Sequence, residues 1–402
     1  MKTESCIVPD GPNPAFEIDR QYLLSTLLEL LSIHSPTGYT DPVVRLVCSK
    51  LDELGIPYEL TRRGAIRANL ASTTAHSRRA LVAHVDTLGA MVRECKPNGR
   101  LGLVPIGTWS ARFAEGARVS VFTDNSIHRG TILPLKASGH TYNDEVDTQP
   151  VSWDNVELRV DESVATDVEL HRLGFRVGDF VGIDSCSEIL PNGFINARHL
   201  DDKAGVASLL AAAKFLVEHQ VKIPVPTCLL FTISEEVGSG ASAVLTDHIA
   251  EMVSIDNGAV APGQASREFG VTVAMGDSTG PFDYHLTRHL LRLCRDHRLV
   301  HARDVYKYYR SDSASALDAG NDTRTALITF GVDASHGYER TNIDSLVSIA
   351  QLSIAYALSG LVFGSQSGPL GGIEDFPETR TTQVETIIPS QQEVVAAIPP
   401  SC

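Results

Sequence analysis

The chain has 402 residues, 43% of them hydrophobic and 21% charged, with a formal net charge of -15 at pH 7. That length exceeds the size at which single cores usually stop growing, so two domains are expected, and the composition is that of a folded globule rather than a disordered or fibrous chain. The acidic balance repels phosphate backbones and anionic lipid headgroups, and no apolar run approaches the ~20 residues that span a bilayer, so neither nucleic acid nor membrane is an expected partner.

The opening "MKTESCIVPDGPNPAFEIDR" lacks the apolar core of a signal peptide. The seven cysteines (Cys6, Cys48, Cys95, Cys186, Cys228, Cys294 and Cys402) are scattered, odd in number and never in a CxxC pair. Both features predict a soluble cytoplasmic protein with reduced thiols. "YLLSTLLELLSI" and "DPVVRLVCSKLDELG" carry apolar residues at helical spacing, and "YELTRRGAIRANLA" alternates like a hairpin. "RRALVAHVDTLGAMV" reads as one long apolar strand that contains His84 and Asp86.

Between about Lys96 and Ile189, short β-like pieces such as "GARVSVFT", "RGTILPL", "NVELRV" and "FRVGDFVGI" alternate with glycine, proline and asparagine, which predicts a small all-β unit. "LDDKAGVASLLAAAKFLVEH" then reads as a helix with Asp201 as a candidate N-cap. "TCLLFTIS", "EMVSID", "FGVTVAM", "VYKYYR" and "ALITFGV" read as strands, and "DYHLTRHLLRLCRDH" and "SLVSIAQLSIAYALSGLVF" as helices. Together these predict an α/β fold with a mixed sheet flanked by helices and a small inserted all-β domain. Its expected divisions are 1–95 and 190–367 for the main domain, 96–189 for the insert and 368–402 for a loose, proline-, threonine- and glutamine-rich tail.

Four places share one pattern, in which a mainly apolar strand ends in carboxylates or histidine: "LVAHVD", "FTISEE", "MVSID" and "GVDASHG". Strand ends of α/β sheets are where ligand sites gather. Singly, each residue has a plain structural reading. His84 suits a satisfied core histidine, Glu235 and Glu236 the solvated start of a helix, Asp201 a cap, Asp256 an Asx-turn and His336 a loop. Jointly, two histidines, two aspartates and a glutamate make the ligand set of a co-catalytic site for two divalent ions, with one carboxylate bridging them. If Glu236 binds a metal, its neighbour Glu235 points elsewhere and is placed to act as general base. Asp86, two residues along the strand from His84, faces the same side and is expected to accept a hydrogen bond from the imidazole's free nitrogen. A set without cysteine suits a labile hydrolytic site, with Zn²⁺ first and Co²⁺ or Mn²⁺ as alternatives.

In order, "AHVDTLGAMV", "HLDDKAGVASLL", "FTISEEVG", "SIDNGAVAPG" and "ASHGYERT" resemble the dinuclear metalloaminopeptidase family of glutamyl aminopeptidases and TET peptidases, over Tyr22 to Phe363. "GTWSARFAEGARV" and "ILPLKASGHTYNDEVDTQPVSWDNV" are similar to its subgroup linked to the osmoprotectant N-acetylglutaminylglutamine amide. The resemblance implies that Asp201 bridges the metals, that His84 and Asp256 complete one and Glu236 and His336 the other, and that Glu235 is the base. It also implies that the β insert covers the site and mediates homo-oligomers, commonly dodecamers. Asp312 in "YYRSDSAS" matches a family aspartate, although a Ser-Asp pair before a helix also reads as a cap.

Two positions depart from the family pattern: Thr87 stands where a glutamate is usual, and "SGAS" follows "EEVG" in place of leucine-arginine-glycine. The expected function is a metal-dependent hydrolase of amide bonds in short peptides, an aminopeptidase. The alternatives are a deacylase or carboxypeptidase-type enzyme acting on an N-acetylated glutaminyl dipeptide amide, and an inactive assembly or binding protein.

Overall fold

The computed structural model describes residues 16–70, 77–246, 248–363 and 373. Apart from Ile373, the expected tail 368–402 lies outside them. The helix Arg20–Ser32 starts where the Asp19 carboxylate accepts the Tyr22 amide, and it buries Leu23, Leu27, Leu30 and Leu31 at helical spacing. The helix Asp41–Glu53 has Pro42 in its first turn, where a missing amide hydrogen costs nothing. Tyr58–Leu60 and Ile66–Asn69 form the expected antiparallel hairpin.

A twelve-stranded sheet holds the main domain together. At its centre four parallel strands lie in the order Thr227–Thr232, Arg78–His84, Ile249–Val260 and Arg324–Asp333. All are rich in β-branched or aliphatic residues and almost wholly buried, as parallel strands must be. The hairpin extends one edge antiparallel, and Glu339–Asn342, Phe194–Ala197 and Glu188–Ile189 extend the other. Val271–Asp277 pairs antiparallel with Arg324–Asp333 and parallel with the edge strand His301–Val305. The alanine-rich helix Leu200–Glu218 packs closely on the helices Arg20–Ser32 and Ile343–Leu358 and on the central strands, because alanine lets backbones approach.

The second body is a closed six-stranded barrel of Gly89–Cys95, Leu101–Ile106, Val156–Val160, Ile127–Pro134, Arg118–Phe122 and Phe180–Ile183. It encloses its own core around Val92, Leu103, Val119, Val121, Ile132, Leu158 and Phe175. The barrel thus begins at Gly89 rather than near Lys96, because "RRALVAHVDTLGAMV" is two strands in two different sheets. The Ser35 hydroxyl donates to the Val85 carbonyl, the Thr87 amide donates to the Ser35 carbonyl, and a bridge joins Pro36 to Thr87, so the chain leaves the sheet there. A Cβ on Gly89 would sit 2.5 Å from the Pro36 Cβ, so only glycine permits that crossing. Mainly apolar residues on both sides of it hid the break, since residues 80–84 and 89–92 are largely buried.

"VYKYYR" is corrected as well. The strand is His301–Val305, and residues 306–310 turn away from it, where the Tyr306 hydroxyl reaches Ser266 and Thr329, both partners being buried. β-Branched and aromatic composition alone cannot separate a strand from a buried turn.

A buried polar knot ties the last helix to the sheet. Arg79, fully buried, donates through Nη1 to the Tyr356 carbonyl and through Nη2 to the Ser359 carbonyl at 2.9 Å, and its guanidinium lies 4.3 Å from the Tyr356 ring centre. Tyr356 in turn donates to Glu251 at 2.8 Å. The arginine satisfies carbonyls that the end of Ile343–Leu358 leaves open and meets the negative end of its dipole. Arg79→Met is expected to lower unfolding free energy by about 2–4 kcal/mol in urea titration; an unchanged midpoint would show the knot to be energetically idle.

Candidate active site

Register brings the candidate residues to one rim. His84 pairs with Thr232, Val82 with Ser254 and Asp256 with Thr329, so the carboxyl ends of the parallel strands are level there. Glu235 and Glu236 follow Thr232 by one turn of loop. Asp256 lies inside its strand rather than at a strand end, but its pairing with Arg78–His84 has stopped at Ser254, and this opens room beside it.

Asp201 is the focus. Its Oδ1 lies 3.0 Å from His84 Nε2 and its Oδ2 lies 3.2 Å from His336 Nε2, so one carboxylate addresses two histidines with separate oxygens. It does not cap the helix, because both its oxygens are turned to His84, His336 and Asn257 rather than to helix amides. The Asn257 amide donates to Asp201 Oδ2 at 2.7 Å. His84 Nε2 is 3.8 Å from Glu235 Oε2, and His336 Nε2 is 3.8 Å from Glu236 Oε2. Two groups could each hold an ion with ligand atoms mutually within 4.8 Å, namely His84, Asp201 and Glu236, and His84, Glu235 and Asp256.

The electrostatics fit cations. Burial, reinforced by neighbouring carboxylates, pushes Glu235, Glu236 and Asp256 well above the usual carboxylate range. Burial also works against Asp201, yet hydrogen bonds from His336 and His84 hold it well below that range. His336 is pushed up to about 10, since its bond to Asp201 outweighs burial. Among the described residues, Glu236 Oε1 is buried with no hydrogen-bond partner. Oxygen and imidazole donors with an orphaned carboxylate oxygen among them are what divalent ions satisfy, and ligand protons leave when such ions bind. The residues present therefore fit a two-metal centre.

Asp86 stands beneath the site in a different part from the one expected. His84 Nδ1 meets the Asp86 main-chain oxygen at 2.9 Å, while the nearer carboxylate oxygen is 3.6 Å away. The carboxylate instead accepts the amides of Glu235 at 3.1 Å and Glu236 at 3.3 Å and the Thr37 hydroxyl at 2.6 Å. It holds the glutamate pair by the backbone and so frees both side chains. Ser311 caps the helix Asp312–Asp318, while Asp312 accepts from Thr232 at 2.6 Å and is pushed up to about 6 by burial. Gly240 is needed here, because a Cβ would fall 1.8 Å from Asp312 Oδ1.

A family model described as M42 glutamyl aminopeptidase matches residues 64–352. The chain belongs to this family. A relative from Bacillus subtilis (strain 168), named as the aminopeptidase YhfE, is 37% identical over 340 residues, which cover 84% of this chain and 98% of that protein. Among solved structures, aminopeptidase APDkam598 from the archaeon Desulfurococcus kamchatkensis has a TM-score of 0.77 at 23% identity, covering 87% of this chain and 98% of its own. The Pyrococcus horikoshii TET1 peptidase, which can assemble into a tetrahedron or a large octahedral shell, has a TM-score of 0.74 at 20% identity, covering 83% and 99%. At those identities the likeness speaks for the fold, a mixed sheet with helices and a closed barrel. As an M42 member the chain is a metal-dependent peptide hydrolase of the aminopeptidase type.

Several residues in this M42 site escaped the sequence reading. Glu339 accepts the amides of His336 at 2.9 Å and Asp201 at 3.2 Å and so clamps two candidate ligands from behind. Asp202 accepts the His84 amide at 3.1 Å, and Ser335 steadies Asn257 at 3.0 Å. The Thr108 carbonyl, on the barrel side, accepts from His336 Nδ1 at 2.8 Å. Glu339 and Asn257 stand inside motifs already quoted, three residues after His336 and one after Asp256. A main-chain carbonyl such as Thr108 leaves no side-chain signal to find.

Proposed function

We propose that this M42 protein removes N-terminal residues from short peptides, with two divalent ions held by His84, Asp256, Glu236, His336 and a bridging Asp201. The observation that carries this reading is the Asp201 carboxylate shared between His84 and His336, with Glu235 beside it. Bound ions polarise a scissile carbonyl and lower the pKa of water. Glu235 Oε2 takes the proton of the attacking water and returns it to the leaving amine, and Asp86 fixes the backbone from which that side chain swings. The cleft beside the candidate ligands is lined by Leu88, Trp109, Ile183 and Arg198, and there a peptide end can reach Glu235. Zinc is the first choice of metal on donor type, with cobalt or manganese next.

Assembly into a homo-oligomer, of dodecameric size as in tetrahedral shells, goes with this reading; Ile127, Val168 and Val177 of the barrel segment are more than half exposed. Residence in the cytoplasm accords with Cys48, Cys95, Cys186, Cys228 and Cys294 all being free thiols. The blocked-terminus alternative has one observation in its favour. Thr87 is buried and spends its hydroxyl on the Leu88 carbonyl at 3.0 Å, so this position brings no carboxylate to a free α-amine. Metal-loaded protein is expected to hydrolyse free short peptides and to leave their N-acetylated forms intact, read by amine release alongside metal content. The converse pattern would replace aminopeptidase action with deacylation or carboxypeptidase-type cleavage.

A further inference from the structure

The cleft beside Asp201, Glu236 and His336 has apolar walls from Leu88, Trp109 and Ile183, and a guanidinium, Arg198. Arg198 joins the strand Phe194–Ala197 to the turn that carries Asp201, and its own amide is pinned to the Ser185 carbonyl at 2.8 Å. Its guanidinium is half-buried, and among the described residues no hydrogen bond or ion pair takes it up. The ionisable groups that reach it are Cys186 first, then Glu339 and Tyr338, and both Glu339 oxygens are engaged by the His336 and Asp201 amides. Tyr338 spends its hydroxyl proton on the Cys186 carbonyl.

Other partly buried arginines are engaged: Arg324 with Asp283 at 2.6 Å, and Arg67 with the Val244 carbonyl at 2.6 Å. Burial also pulls the Arg198 guanidinium below its ordinary value. A desolvated cation without an anion is costly, and the cost is recovered when a ligand brings the anion.

We propose that Arg198 determines specificity by pairing with a carboxylate of the peptide bound in this cleft. The inference rests on the cleft being the substrate site, as in the function proposed above. A planar guanidinium accepts such a group through two parallel hydrogen bonds, which a neutral amide of equal size cannot match. Two carboxylates qualify, the side chain of an acidic N-terminal residue and the α-carboxylate of a very short peptide. A peptide that is neutral and amide-capped offers neither.

The test is calorimetric binding to the metal-loaded, full-length Glu235→Gln protein, which separates binding from turnover. Gln-Ala-amide serves as the neutral reference, Glu-Ala-amide adds the side-chain carboxylate, and Gln-Ala adds the terminal one. One of the two anionic peptides is expected to bind about 10- to 100-fold tighter than the reference. Adding Arg198→Gln is expected to bring the ratio to within about 3-fold while reference binding persists.

Should that double variant fail to bind the reference, Arg198→Lys decides, with a preference cut to a few-fold because the fork is lost and the charge kept. Equal binding of all three peptides, or a preference that survives either substitution undiminished, overturns the proposal. Turnover by the unsubstituted protein on the same peptides addresses the hydrolase reading separately. Anion preference without turnover keeps Arg198's role and removes the hydrolase, and turnover without anion preference does the reverse.

Discussion

Glu235→Gln is expected to lose about 10²- to 10⁴-fold in turnover while retaining the metal content of the parent. The amide matches the carboxylate in size but cannot take a proton at neutral pH. The backbone there stays fixed, because Asp86 holds the amides of residues 235 and 236 and not their side chains. Metal content decides between two roles. Glu235 also stands with His84 and Asp256 as a group able to hold an ion. A drop of one metal equivalent in the variant would make Glu235 a ligand, and a rate close to that of the parent would remove it from the chemistry altogether.

Asp201→Ala is expected to have the wider effect, because both halves of the centre share that carboxylate. His84 and His336 would lose their common partner, and the Asn257 amide would lose its acceptor. Metal content measured after dialysis should fall for both ions, and activity should drop well beyond the about 10- to 100-fold typical of losing an outer partner. Thr37→Val supplies that milder comparison, since it removes only one hydroxyl from Asp86. If Asp201→Ala kept both ions and Thr37→Val did the greater damage, the centre would not be organised around Asp201.

Much of this was legible in the sequence because the physics was local. Helical spacing of leucines marked Arg20–Ser32, and apolar strands ending in acid or histidine marked the rim before any geometry was known. The five candidate ligands came from five separate segments, and four of them were visible because each of those segments repeats the same change from apolar to polar at a strand's carboxyl end. What stayed hidden was set by tertiary contact. The break at Gly89 depends on Pro36, more than fifty residues away in the chain. Asp201 looked like a cap because capping and ligation favour the same residue at the same place, and only the partners of its carboxylate separate them. Asp86 was placed near the right partners, but the bond to His84 went to its carbonyl.

The His336 ring is oriented by a carbonyl that the barrel side supplies at Thr108, while the nitrogen that faces Asp201 belongs to the main domain's cluster. The smaller body therefore sets a tautomer in the larger one. Excising the barrel would remove more than a cover: the remaining fragment would keep every acidic and imidazole ligand yet hold the His336 ring by one nitrogen instead of two.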